Sequence, residues 1–231
     1  MSQLLADPAY RFENLPDIVH DYLRQRIMAG AVATGSPLRQ ETIARELGVS
    51  RVPVREALGR LEAEGLVKFR PRRGYLVSEL DPEEITEIFE IRGLLEKQGA
   101  GLAARKRTEE DIAEVEVLVL AMDKVLDPAP ESIARFARLN REFHAQLVAC
   151  SRRPRLCRLL ENLRDQVEGY VRIDATTLGR LAEAQDEHHE IFEAFRAGDA
   201  RQTARLCAAH SNHTSQNVLS SLARRPAGSA S

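Results

Sequence analysis

Tryptophan is absent from this chain of 231 residues, and phenylalanine and tyrosine bring the aromatic share to only 5%. Alanine, leucine, arginine and glutamate dominate instead, a balance that points to a mainly helical protein. Cysteine is scarce. Cys150, Cys157 and Cys207 form no CxxC and cannot all pair, which speaks against a disulfide framework and for a reducing, cytoplasmic setting. No charged-then-apolar leader opens the chain and no apolar run approaches the length of a membrane span. A soluble protein with no membrane partner is therefore expected. There is no HExxH, and no serine or cysteine has an evident base nearby, so hydrolytic zinc chemistry is unsupported. Gly30-x-x-x-x-Gly35-Ser36 lacks the lysine and the preceding apolar strand that a phosphate-cradling loop requires. No segment repeats.

At 43% hydrophobic, the chain can bury the cores of two modest domains. The net charge of −2 does not mark a general polyanion binder, but its distribution is uneven. Residues 39–73 carry nine Lys or Arg against five Asp or Glu, whereas the part after residue 80 carries 21 against 25. A basic module on an acidic body suits a regulator.

The basic module centres on Gly48-Val49-Ser50-Arg51-Val52-Pro53-Val54-Arg55. Ile43, Ala44 and Leu47 give an apolar helical face that Gly48 should end, since glycine tolerates the left-handed turn. Ser50 offers a hydroxyl to cap a new helix. Within that helix Val54, Ala57, Leu58 and Leu61 recur at helical spacing. Arg51 and Arg55, four apart, share the opposite side. Two short helices joined tightly, with arginines opening the second, make a helix-turn-helix whose second helix can enter a major groove. A first helix is expected over 15–28 and a second near 40–47, and Gly65 ends the third. The runs 66–69 and 75–77 then read as strands joined by the basic tip Arg70-Pro71-Arg72-Arg73-Gly74, a wing.

The expected architecture is mainly α. An N-terminal winged helix-turn-helix occupies 12–80, with residues 1–13 a loose arm. A helical bundle of six or seven helices fills 82–222, and 223–231 form a disordered tail. Asp81-Pro82-Glu83-Glu84 is a strong helix start. Further helices are expected over 108–126, 131–150, 154–171, 178–197 and 199–222.

The helical half holds all the histidines except His20. Asn140 and His144 are four apart and share a face. His188 and His210 flank the Gly198-Asp199 turn at similar distances, so an antiparallel hairpin brings them level. Three helices can thus bring His144, His188 and His210 to one interior point suited to a divalent ion such as zinc or nickel. His189 and His213 read as solvated or supporting residues. Cys150 and Cys157, seven apart, read as one face of small buried residues. Arg92 lies near the apolar stripe Ile85, Ile88, Phe89, Ile91, Leu94 and Leu95. Such an arginine either snorkels outward or faces a cavity that binds an anion.

The run Leu47–Leu58, with Leu61, Glu64-Gly65-Leu66-Val67 and Arg73-Gly74-Tyr75-Leu76-Val77, closely resembles the N-terminal domain of GntR-family bacterial transcription regulators over about residues 15–80. Arg92-x-x-Leu95-Glu96, Asn140-x-x-x-His144, Glu187-His188, Gly198-Asp199 and His210 resemble the helical FCD-type sensing domain of the FadR subfamily; six helices would suggest its VanR-like branch. The resemblance implies a cytoplasmic homodimer on a palindromic operator, most simply a repressor, that responds to a small metabolite, often a carboxylate. It also implies DNA contacts from Arg51, Val52, Pro53, Arg55, Arg72, Arg73 and Gly74, with the effector near Arg92. A metal ion would be held by Asn140, His144, His188 and His210. Two departures stand out. Asn140 replaces the commoner aspartate and should weaken the site. Glu41 replaces a DNA-contacting arginine and is not counted as a contact. The competing reading is a helical metalloenzyme acting on a small acid, with the winged helix as an interaction module; it leaves the Arg51/Arg55 pair and the basic wing without a purpose.

Overall fold

The structure, a computed structural model, describes residues 14–127, 129–178 and 180–224 and divides into two compact units that meet at Leu80 and Asp81. The arm expected over 1–13 lies outside the described residues. So does the expected tail, except that Ala223 is still helical and Arg224 is that helix's C-cap.

The first unit contains α1 (Leu15–Met28), β1 (Pro37–Leu38), α2 (Gln40–Leu47), α3 (Arg51–Ala63), β2 (Val67–Arg70) and β3 (Gly74–Val77). Its core is the apolar face of the three helices, with Val19, Leu23, Leu47, Val54, Leu58 and Leu61 buried. Gly48 ends α2 at φ 70°, the left-handed geometry expected there. Ser50 has the extended backbone of an N-cap, but its side chain makes no capping bond, so the start of α3 rests on backbone geometry and packing. The strands form one antiparallel sheet in the order β1-β3-β2, with Phe69 opposite Tyr75 and Pro37 opposite Leu76. Strand β1 carries no periodic signal in the sequence, since two residues are too few to show alternation.

The second unit contains α4 (Pro82–Lys106), α5 (Glu109–Met122) with a 3₁₀ turn over Asp123–Val125, α6 (Pro130–Ala149), α7 (Pro154–Leu178), α8 (Leu181–Ala197) and α9 (Ala200–Ala223). Among the described residues it has six α-helices and no strand, and no helix is long and apolar enough to cross a membrane. Reciprocal capping boxes open α4 (Asp81 with Glu84) and α5 (Thr108 with Asp111). Helix α7 runs past the expected end at 171, because no glycine or proline interrupts 170–178. Small residues let α4 and α9 approach closely: a Cβ on Gly101 would lie 3.2 Å from the Ala200 carbonyl and 3.3 Å from the Ala204 Cβ. Cys150 ends α6 and Cys157 lies on α7, so they do not share a helix face as spacing had implied.

Candidate functional site

Arg51, Val52 and Arg55 are exposed along the first turns of α3, whereas Pro53 turns inward and is buried with Val54. Of the sequence-predicted contacts on this helix, Pro53 therefore shapes the helix start from within and does not reach its outer surface. At the wing tip Arg72 and Arg73 are exposed, held by a turn in which Arg73 N–H donates to the Arg70 carbonyl. Arg72 and Gly74 both have positive φ, 67° and 77°. One surface groove is lined by Arg39, Glu41, Arg51, Arg73 and Tyr75, so the wing root and the start of α3 border the same space. Across it Arg51 donates to Oε1 of Glu41 at 3.0 Å. Behind this face His20 is buried, with Nδ1 2.9 Å from Asp21 and Nε2 2.8 Å from Glu64, linking α1 to the end of α3.

In the second unit His144 on α6, His188 on α8 and His210 on α9 are all buried, and one ligand nitrogen from each lies within 4.8 Å of the others. The Gly198 turn, at φ 75°, folds α8 against α9. Hydrogen bonds aim the rings. His188 Nδ1 lies 3.2 Å from Gln185 Oε1, an acceptor, and its Nε2 is buried with no partner. His210 Nδ1 donates to Glu187 Oε2 at 2.5 Å, leaving Nε2 for the cluster. The other Glu187 oxygen takes His213 at 2.5 Å. His213 thus supports the centre from outside, and His189 is drawn away to Asp123 at 2.8 Å.

Burial favours the neutral imidazole at two of the three, His144 and His188. Burial, and next the nearby Arg164, push His144 well below its usual pKa; burial and next His210 do the same to His188. Three convergent ring nitrogens, one an orphaned acceptor inside the protein, fit a divalent cation, whose Zn–N bonds run ~2.0–2.1 Å. Carboxylate and amide partners on the far ring nitrogens are what orient such ligands.

His144 and His210 line a cavity of about 250 Å³ together with Asn140, Arg92 and Arg164. Arg92 does not snorkel: it is 7% exposed and donates to Glu96 Oε1 at 3.2 Å, while its Nε has no partner. Arg164 donates twice to the same oxygen, at 3.1 and 3.0 Å. Burial alone would raise the Glu96 pKa, but Arg92 and Arg164 outweigh it and hold it at about 2. One carboxylate thus accepts from two buried guanidiniums beside the histidines. The Arg92–Glu96 pair was visible as an i,i+4 spacing. Arg164 is 68 residues away, and no local signal marks it.

Residues 16–77 match the model for bacterial regulatory proteins of the gntR family, and residues 87–213 match the FCD domain. The HTH-type transcriptional regulator YdhC of Bacillus subtilis (strain 168) is 29% identical over 86% of this chain and 88% of its own length. A probable D-xylose utilization operon transcriptional repressor of Paenarthrobacter nicotinovorans is 31% identical over 78% of each chain. Among solved structures, E. coli McbR/YncC superposes with a TM-score of 0.77 at 26% identity, covering 87% of this chain and 95% of that one.

Proposed function

Because the chain belongs to the gntR family of bacterial regulatory proteins and carries an FCD domain, it is a DNA-binding transcription regulator and not an enzyme, and we propose that it is a cytoplasmic, metabolite-responsive repressor. The repressor reading is supported by the relative that is itself a probable repressor. In this reading two copies bind a palindromic operator, each inserting α3 into a major groove. Arg51, Val52 and Arg55 meet bases and phosphates, Pro53 sets the helix start, and Arg72, Arg73 and Gly74 lie along the backbone or minor groove. Six helices among the described residues of the second unit favour the VanR-like branch of the FadR subfamily.

The observation that carries the sensing half is the convergence of His144, His188 and His210, the first and last of which share a cavity with Arg92. His144, His188 and His210, with Asn140 on the same cavity wall, hold a zinc or nickel ion. When bound, the ion supplies a Lewis-acidic anchor for an anionic oxygen. Arg92 donates to the carboxylate of a small organic acid, and ligand binding shifts the population between operator-competent and incompetent dimers.

Two measurements on protein purified without chelators test this. Elemental analysis should find close to one metal per chain, lost in His188→Ala. Selection from random duplexes should return a palindrome whose binding Arg55→Ala abolishes. A metal-free protein that also ignores added Zn²⁺ and Ni²⁺ would overturn the metal assignment, and intact binding by Arg55→Ala the recognition-helix assignment.

A further inference from the structure

Glu41 is the second residue of α2 and Arg51 the first of α3, so the helix-turn-helix brings their side chains together at the leading ends of its two helices. Arg51 donates from one terminal nitrogen to Glu41 Oε1 at 3.0 Å, with the side chains 68% and 81% exposed. Folding does not account for this pair, because ion pairs so open to water add little to stability. A first-turn acid also favours the positive end of α2, but that leaves its hold on Arg51 unexplained. The pair borders the groove that carries Arg39 and Arg73. On a face that must meet a polyanion, a carboxylate has the wrong sign unless it does something to its neighbour.

We propose that Glu41 and Arg51 act together as a base-reading pair: Glu41 occupies one edge of the Arg51 guanidinium and cancels its charge, so that Arg51 selects a guanine instead of clamping a phosphate. A free arginine can satisfy its planar fork on phosphate oxygens or on guanine O6 and N7. Phosphates are present at every step, and binding them releases counterions, so an unpaired arginine gains most from the backbone and gives up sequence information. The Glu41–Arg51 pair carries no net charge and gains little from that release. It still has donors to spare, since guanidinium offers five N–H groups. Glu41 biases its orientation from the α2 side. Arg55 forms no ion pair among the described residues, and with Arg72 and Arg73 it keeps full charge for affinity. The inference rests on the reading above that places Arg51 at the operator.

The test uses the full chain and selection from a random duplex pool, with affinities measured across a salt series. Wild type should select guanine at one position of each half-site. Glu41→Ala should lose preference at that position alone, bind random duplex several-fold more tightly at low salt, and steepen the log–log salt slope by about one unit. Glu41→Gln, which keeps the acceptor but not the charge, should steepen the slope equally while retaining part of the preference. Tighter binding to all sequences with an unchanged selected motif would reduce Glu41 to backbone repulsion and overturn the pair. Unchanged affinity and motif would remove Glu41 from the interface. If Arg51→Ala itself alters neither motif nor affinity, the placement of Arg51 at the operator fails, which is distinguishable from failure of the pairing.

Discussion

Nδ1 of His210 lies 2.5 Å from Oε2 of Glu187, whose other oxygen is 2.5 Å from Nδ1 of His213. Nδ1 of His210 is thereby spent on the carboxylate, so only Nε2 faces His144 and His188. Removing Glu187 frees the ring to rotate and to change tautomer without deleting a ligand. Glu187→Ala should therefore weaken divalent-metal affinity by about 10- to 100-fold, the usual effect of losing an orienting partner. His188→Ala should abolish stoichiometric binding. Competition against a chromophoric chelator reads both. Equal affinity in Glu187→Ala and wild type would restrict Glu187 to holding the exposed His213.

Glu96 gives an acid-stability prediction. Its folded-state pKa of about 2 lies below the ordinary 4.5. Between those limits the unfolded chain binds the extra proton, so this stabilisation is complete above pH 4.5 and is lost as pH falls toward 2. Glu96→Gln should flatten that part of the pH–stability curve. At neutral pH it should also cost about 3–5 kcal/mol, because Arg92 and Arg164 lose the counter-ion they share in the interior. Urea unfolding from pH 7 down to pH 3 checks both limbs. A variant with wild-type acid sensitivity would show that the carboxylate is not the group being protonated.

Which features were legible in the sequence follows from how local they are. Gly48, Gly65, Asp81-Pro82 and Gly198-Asp199 punctuate the chain within a turn of where they act, and the helix ends fall within a few residues of the expected ones, apart from that of α7. His144, His188 and His210 could be brought together because a single turn sets two of them level. What could not be read depends on non-local pairing. Arg164 reaches Glu96 across 68 positions, and Arg51 meets Glu41 only once the turn has folded. Pro53 illustrates the opposite error. A motif assigns it to the DNA surface, but three-dimensional packing buries it.

Arg72 sits at φ 67°, a region that costs an L-residue roughly 1 kcal/mol. An exposed wing tip that keeps an arginine there holds a charge at the expense of backbone comfort. Arg72→Gly should relieve the strain and raise the melting temperature by a few degrees. It should also weaken operator binding and lower the salt slope by about one unit, as expected for one lost phosphate contact. Thermal melts and salt-dependent anisotropy on one protein preparation separate the two effects. A lower affinity with an unchanged slope would place Arg72 against a base or sugar instead.

Gly198 governs the register of the hairpin that carries His188 and His210. It ends α8 at φ 75°, and the next residue, Asp199, caps α9 through the backbone N–H groups of Arg201 and Gln202. A Cβ at this position would fall on the guanidinium of Arg107, which is fixed by bonds to the carbonyls of Ala104 and Arg196. Gly198→Ala thus incurs the left-handed penalty and displaces Arg107, a combined cost of about 2 kcal/mol. In an Arg107→Ala background only the backbone part, about 1 kcal/mol, should remain, so the double-mutant cycle should show clear coupling. Because the same turn sets His188 level with His210, metal affinity should fall in Gly198→Ala and partly recover in the double variant. Lost stability with wild-type metal affinity would show that the core packing of α8 and α9, and not their turn, fixes the height of the two histidines.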